Sequence, residues 1–358
     1  MRKLSLLSLA ALPLAASLTV AAATAELRPG ILVDPDAGRA YLMRPEGGIE
    51  ALSLDDGNVI FTSNAGTRPL AAAGGWLVTL AEPSGRGSLD LALINLAEPS
   101  RTTTLSWPLP AEVRASPVDG LGTSFQVIAR ARAASVDLAW TFRWRRTGPL
   151  PPEEGEPQSG ETQGGLRIDL SGQSVSAHFS SFAAARDDGP VPSTLDAFVT
   201  NPPPFGKPVK AGANWAVVET VRLAPGRVRL VLRRGAPGGA LLESRTIYEG
   251  PAVVQLPSAD SRHVLVGALD ERNPALYSWS LFSLETGAPA GALGGPYSHA
   301  FFSVLAGKNV AYEARAVGKL EGTSRVSLGR ALVVARPDGS VVFRRNVREN
   351  EFRGPFPP

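Results

Sequence analysis

Histidines are the first candidates for chemistry, because they bind metal ions and transfer protons near neutral pH. The chain has three of them, His178, His263 and His299, which lie far apart in the sequence. None has a neighbour at the H-x-H, H-x-x-H or H-E-x-x-H spacings that would place two ligands on one metal ion. His263 lies in an alternating segment and is predicted to be exposed or at a sheet edge. We therefore predict no metal site.

Adjacent carboxylates are the second candidates, since a pair of them can act as acid and base on a glycosidic bond. Examples of such pairs are residues 55–56, 153–154 and 187–188. Neighbouring residues on a strand point to opposite faces, and Asp55–Asp56 precede Gly57, as is typical of a turn. A Gly-x-Ser-x-Gly elbow and a Gly-rich phosphate loop are absent from the sequence. We predict no catalytic residues and no bound cofactor.

An aromatic row at 140, 142 and 144 has two interpretations. Trp140, Phe142 and Trp144 alternate with polar residues, so they share one face of a strand, with Arg143 and Arg145 on the other. They could form a stacking platform for a sugar or another flat ligand, or they could pack between two sheets. We favour packing, because large rings fill such interfaces well.

Composition narrows both the fold and the chemistry. With no cysteine, the chain has no thiolate nucleophile, no Cys-ligated zinc and no iron–sulfur cluster. Its 37 Gly and 31 Pro are scattered, which argues against long helices. No stretch combines dense arginine with interleaved aromatic residues, so we predict no nucleic-acid partner.

A strand-turn-strand unit recurs along the chain and predicts the fold. Residues 49–61, 281–287 and 332–343 each contain an alternating strand followed by a turn with a central Gly. Two hairpins for every 45–50 residues make one four-stranded propeller blade. The sequence therefore predicts an all-β protein, a β-propeller of six to seven four-stranded blades. A pair of β-sandwiches is the alternative, because short strands with regular turns suit that architecture as well.

Two segments resemble repeats of known propeller families. Residues 49–61, IEALSLDDGNVIF, resemble the quinoprotein-type (PQQ-like) repeat, with Phe61 where that family usually has Trp, as Phe343 does later. Residues 258–266, SADSRHVLV, resemble the Ser-Pro-Asp-Gly strand of TolB/WD40-like propellers. The resemblance implies the propeller fold. It brings no quinone chemistry, because the adjacent cysteines of such dehydrogenases are missing and a fold alone does not imply a function.

The beginning of the chain has the pattern of a secretory signal peptide. Arg2 and Lys3 precede an apolar run at 4–20 and a small-residue Ala-x-Ala site formed by Ala23 and Ala25. We expect residues 1–25 to be removed after Ala25, which leaves residues 26–358 as a single propeller domain. The run is shorter and richer in Ala and Ser than a membrane-spanning helix, so the processed chain is not expected to span a membrane.

One insertion interrupts the repeats. Residues 146–165 are acidic, rich in Pro and Gly, and without apolar periodicity. We predict a disordered loop there.

Two functional hypotheses remain open. The first is an exported, non-catalytic propeller that acts as a binding or scaffold module, in the periplasm or outside the cell. Its partner would be another envelope protein or an extracellular ligand, and the propeller itself would be a monomer. The second is a propeller enzyme, either a quinone- or metal-dependent oxidoreductase or a glycan-acting enzyme. The first is favoured because no set of acid, base, nucleophile or metal ligands assembles in the sequence.

Overall fold

The computed structural model of the chain describes twelve segments of it. They are residues 24–81, 87–110, 121–146, 159–171, 176–180, 209–236, 240–251, 253–257, 262–270, 276–297, 303–317 and 327–348. Within these segments the secondary structure consists of β-strands joined by turns. A helix long and apolar enough to cross a membrane does not occur in them.

The described segments form six antiparallel sheets, and each pairs its strands in the order of the sequence. We number them blades 1 to 6. Blade 1 contains β1 (Ala25–Arg28), β2 (Ile31–Asp34), β3 (Arg39–Met43), β4 (Ile49–Ser53) and β5 (Val59–Ser63). Blade 2 contains β6 (Arg68–Ala73), β7 (Trp76–Leu80), β8 (Ser88–Asn95) and β9 (Thr102–Pro108). Blade 3 contains β10 (Leu121–Ala131), β11 (Ser135–Arg146), β12 (Ser159–Asp169) and β13 (Ser176–Ser180). Blade 4 contains β14 (Val209–Ala211), β15 (Asn214–Ala224), β16 (Arg227–Gly235) and β17 (Leu241–Pro251). Blade 5 contains β18 (Val253–Pro257), β19 (His263–Leu269), β20 (Tyr277–Ser283) and β21 (Pro289–Tyr297). Blade 6 contains β22 (Ser303–Ala306), β23 (Asn309–Val317), β24 (Ser327–Ala335) and β25 (Val341–Val347).

Among the described residues, buried apolar clusters join five of the six pairs of neighbouring blades. Separate clusters link blade 1 to blade 2, blade 2 to blade 3, blade 4 to blade 5, and blade 5 to blade 6. A fifth cluster packs Val334 of blade 6 against Leu42 of blade 1, so the last sheet meets the first. The six sheets of the described segments, with the last packed against the first, confirm the predicted β-propeller over the alternative pair of sandwiches.

The predicted hairpins are confirmed at the outer strands of blades 1, 5 and 6. Their turns place Gly57, Gly287 and Gly339 at φ of 76°, 68° and 85°, a left-handed conformation that glycine adopts without strain. Gly57 N–H donates to the Ser53 carbonyl at 2.9 Å, and Gly287 N–H donates to the Ser283 carbonyl at 2.7 Å. The similar turn sequences of the three blades therefore adopt the same backbone conformation.

Blade 1 differs from the prediction of four strands, because it has a fifth. β1 folds back on β2 through Gly30, which has a φ of 94°. A Cβ at Gly30 would lie 2.4 Å from the Met43 sulfur, so the turn needs glycine for space as well as for conformation. Residue 25, the predicted end of the leader, is the first residue of this strand.

Part of the predicted disordered insertion is a strand. Residues 159–165 belong to β12 and pair with β11, while residues 147–158 lie outside the described segments. The glycines that suggested disorder have a packing role instead. A Cβ on Gly160 would lie 2.4 Å from the Trp144 indole nitrogen, and one on Gly164 would lie 2.4 Å from the Trp140 ring. The bare backbone makes room for the two indoles.

Candidate functional site

Buried charges gather where the inner strands of several blades meet. β1 contacts β6 of blade 2 on one side and β22 and β23 of blade 6 on the other. One carboxylate oxygen of Glu26 in β1 accepts hydrogen bonds from Arg68 Nε at 3.0 Å and Arg68 Nη2 at 2.7 Å. The same Nη2 donates to the Val127 carbonyl at 3.2 Å. Arg68 of blade 2 therefore ties blade 1 to blade 3.

A second ion pair lies in blade 6 and faces blade 1. Arg330 Nε donates to Glu313 at 2.7 Å, and the two side chains are only 3% and 2% exposed. Arg330 Nη1 reaches the Arg348 carbonyl at 3.5 Å, and Arg348 N–H donates to the Met43 carbonyl of blade 1 at 3.1 Å. We call Glu26, Arg68, Glu313 and Arg330 the hub cluster.

A third ion pair holds the outer part of the same seam. Arg345 in β25 donates two hydrogen bonds to Glu50 in β4, at 2.8 and 2.6 Å. Glu50 is buried, whereas Arg345 remains about half exposed. Such a bidentate contact fixes orientation as well as distance. The Glu26 pair and this outer pair thus join neighbouring blades, whereas the Glu313 pair joins two strands within blade 6.

Burial shifts the pKa of Glu26, one of the two carboxylates of the hub cluster. Loss of solvent raises the pKa of Glu26 above its usual value, and the Arg68 charge and hydrogen bonds oppose this rise without cancelling it. The ionised form of Glu26 is therefore less favoured in the folded chain than in the unfolded one.

This shift predicts a pH dependence of stability. Because the pKa of Glu26 is higher in the folded chain than in the unfolded one, protonation of Glu26 stabilises the fold. This stabilisation is complete below the unfolded pKa of about 4.5 and is lost as the pH rises through the folded pKa. We expect wild type to be stabilised relative to Glu26→Gln most strongly below pH 4.5, with the difference shrinking toward neutral pH. Urea denaturation of both proteins between pH 4 and pH 7 measures it. A difference that grows with pH would contradict the raised pKa.

We did not predict the hub cluster from the sequence, although the sequence contains a signal for buried ion pairs. Glu313 and Arg330 lie in strands whose buried positions are mostly apolar, such as Ala311 and Leu332. A charged side chain in phase with a core stripe needs a partner. Which partner it has depends on how the blades meet, and the sequence does not state that.

The three histidines are not brought together in the part of the chain that the structure describes. His263 was predicted to be exposed or at an edge, but it is only 8% exposed, because β19 lies between β18 and β20 within blade 5. His178 lies in β13 of blade 3, with its side chain outside the description, and His299 lies outside the described segments. Among the described residues no three His, Asp or Glu side chains are grouped as metal ligands.

The carboxylate pair Asp55–Asp56 forms a turn, as predicted. Asp56 accepts hydrogen bonds from the Asn58 backbone at 3.1 Å and from its side chain at 2.5 Å. The backbone hydrogen bond from Asn58 lowers the pKa of Asp56, so this carboxylate stays ionised as a turn-capping acceptor. The pairs at 153–154 and 187–188 lie outside the described segments.

The aromatic row packs between blades 2 and 3, which is the interpretation that we favoured. Trp140 is 3% exposed and Phe142 is fully buried, and both belong to the cluster that joins the two blades. Phe125 stacks on Trp140 with ring centroids 6.1 Å apart. Trp144 is partly buried at the end of the row, and Arg143 on the opposite face pairs with Glu161. Two of the three rings are thus committed to the core.

The outer edge of blade 4 is a different kind of candidate. β17 pairs with β16 on one side and with no other strand of the described segments on its outer side. It is eleven residues long, whereas the outer strands of the other blades have five to nine. Leu241 and Leu242 at its start are 47% and 57% exposed. An apolar free edge can accept another strand.

Comparison with known proteins finds a likeness of fold. Neither a protein-family model nor a curated protein sequence matches the chain. Solved structures similar to it include the dihydro-heme d1 dehydrogenase NirN, at 14% identity over 91% of this chain and 67% of that one, with a TM-score of 0.31. TolB from Acinetobacter baumannii is 12% identical over 90% of this chain and 63% of its own, with a TM-score of 0.29. The β-propeller domain of Cps50 (Swd1) from Myceliophteria thermophila is 11% identical over 88% of this chain and 86% of its own, with a TM-score of 0.27. Similarity at this level concerns the fold alone.

Proposed function

We propose that this chain is an exported propeller that serves as a non-catalytic scaffold and binds an extended segment of another cell-envelope protein along β17. The leader-like pattern at 1–25 supports export. The free edge of blade 4, which begins with the exposed Leu241 and Leu242, supports strand addition and is the observation on which the proposal depends.

The ring provides the rigidity that a scaffold needs. An apolar cluster joins blade 4 to blade 5, and further clusters join blade 5 to blade 6 and blade 6 to blade 1, so packing against its neighbour holds the outer edge of blade 4 in place. A partner strand that docks on β17 would gain main-chain hydrogen bonds, and the apolar side chains at alternate positions of the partner would cover the exposed leucines. Affinity would come from the backbone, and specificity from these contacts.

The charged side chains of β17 also restrict which partner segments can bind. Arg234 of β16 pairs with Glu243 of β17 at 2.9 Å, and Arg229 pairs with Glu249 at 2.8 Å. These carboxylates have guanidinium partners, and Arg245 of β17 donates to a backbone carbonyl of blade 5 at 2.8 Å, so the charged side chains of the strand are engaged within the protein. The segment that fits it is therefore weakly charged and apolar at alternate positions.

Photocrosslinking in living cells tests this proposal. A photoreactive residue placed at Leu242, Ser244 or Thr246 of β17 is expected to yield one common crosslinked product in the envelope fraction. The same residue at Thr102 or Thr104 of β9, an exposed outer strand of blade 2, is the matched control and should not yield it. Equal crosslinking from both strands, or none from β17, would contradict the docking edge.

A substitution adds a second measurement. Leu242→Lys is expected to remove the crosslink formed from Thr246, because a charge on an edge strand blocks the addition of another strand. Val341→Lys, which alters a residue 46% exposed on the outer strand of blade 6, is expected to leave it intact. Both positions are exposed, so neither change should alter folding, which circular dichroism checks. Retention of the crosslink in Leu242→Lys would contradict the proposal.

A further inference from the structure

Residue Ala25 is an integral part of the first blade. It opens β1, lies opposite Val33 of β2, and is 4% exposed. It belongs to the apolar cluster that joins blade 6 to blade 1, together with Leu27 and Val304. A residue with these contacts stabilises the packing of blade 6 on blade 1, and its loss would shorten β1 and leave a cavity between the two blades.

Cleavage after Ala25 would also create a charge in an unfavourable place. The new terminal ammonium would belong to Glu26, whose carboxylate is bound by Arg68 and lies within the electrostatic reach of Arg330. The hub cluster already balances two carboxylates with two guanidinium groups. A third cation there would be half-buried beside two others, where desolvation and like-charge repulsion both oppose it.

The sequence contains a second small-residue site two positions earlier. Ala21 and Ala23 have the same Ala-x-Ala spacing as Ala23 and Ala25. Cleavage there would leave Thr24 as the first residue. Thr24 precedes β1 and is partly exposed, so its ammonium group would be hydrated, and Ala25 would keep its place opposite Val33.

We propose that the leader is removed after Ala23, so that the exported chain begins at Thr24. The inference rests on the proposed export of the chain. In the reaction, a leader peptidase hydrolyses the peptide bond between Ala23 and Thr24. The hydroxyl of a water molecule joins the Ala23 carbonyl carbon, and its hydrogen joins the Thr24 nitrogen.

Two glutamine substitutions distinguish the two sites, with the full-length precursor expressed in cells and followed by pulse-chase. Ala21→Gln places a large residue at the outer small position of the Ala23 site and lies outside the Ala25 site. Ala25→Gln alters the terminal small position of the Ala25 site and lies beyond the Ala23 site. We expect Ala21→Gln to lose the form that begins at Thr24, and Ala25→Gln to be processed at the wild-type rate.

Intact mass and terminal sequencing of the exported wild-type chain give the independent readout. A terminus at Thr24 supports the proposal. A terminus at Glu26, or blocked processing in Ala25→Gln alone, would overturn the cleavage position and leave export standing. A wild-type chain that is neither shortened nor found outside the cytoplasm would overturn export and the cleavage position together. Processing is read before folding is complete, so a folding defect in Ala25→Gln does not obscure the result.

Discussion

Replacing Arg330 by Met is expected to lower the free energy of unfolding by about 3–5 kcal/mol, because the change removes the guanidinium that neutralises the buried Glu313 carboxylate. Both side chains are almost completely shielded from solvent, so water cannot take the place of the guanidinium. The change also removes the hydrogen bond to the Arg348 carbonyl, next to the backbone contact between blades 6 and 1. Urea denaturation followed by tryptophan fluorescence measures the loss.

Two further variants separate the pair from its individual charges. The double change Arg330→Met and Glu313→Leu should recover most of the loss, since an apolar pair of similar volume often replaces a buried ion pair at little cost. Arg330 Nη2 is buried and has no hydrogen-bond partner among the described residues, which favours this recovery. Arg143→Met, which breaks an exposed pair with Glu161, should leave stability nearly unchanged. Equal losses for Arg330→Met and Arg143→Met would refute this account of the seam.

Replacing Trp140 by Ala is expected to cost about 3–5 kcal/mol of unfolding free energy, because a large side chain leaves a cavity between blades 2 and 3. The indole is 3% exposed, stacks on Phe125, and fills the space that Gly164 leaves open on the neighbouring strand. The same urea experiment measures the effect.

Trp144→Ala is the matched comparison for this cavity. Its indole is only partly buried at the end of the same row and also rests on a glycine, Gly160. A clearly smaller loss is expected there. If Trp140→Ala kept its stability, the row would not be core packing, and the stacking platform would return as its explanation.

The sequence predicted the blades well because their signals are local. The turns at Gly57, Gly287 and Gly339 appear as Asp-Gly or Thr-Gly between alternating strands, and each needs only its own residues to form. The fifth strand of blade 1 was not predicted, since β1 is short and its turn depends on a glycine packed against Met43 from another strand.

The hub cluster could not be predicted for a related reason. Glu26 and Arg68 are 42 residues apart and meet only after two blades have packed together. Residues 159–165 illustrate the opposite error. Their glycines and acidic residues suggested disorder, whereas Gly160 and Gly164 are small because two indoles lie over them. Composition cannot distinguish a glycine that loosens the chain from one that admits a neighbour.

The order of strands within the blades has a mechanical consequence. Every sheet of the described segments is built from consecutive strands, and among these strands none is exchanged between the first and last blades. Tension applied to the two ends of the molecule would therefore part blades 6 and 1 before any inter-strand ladder has to break. The blades would then separate from one another while each sheet stays intact, and they could pack together again once the tension is released.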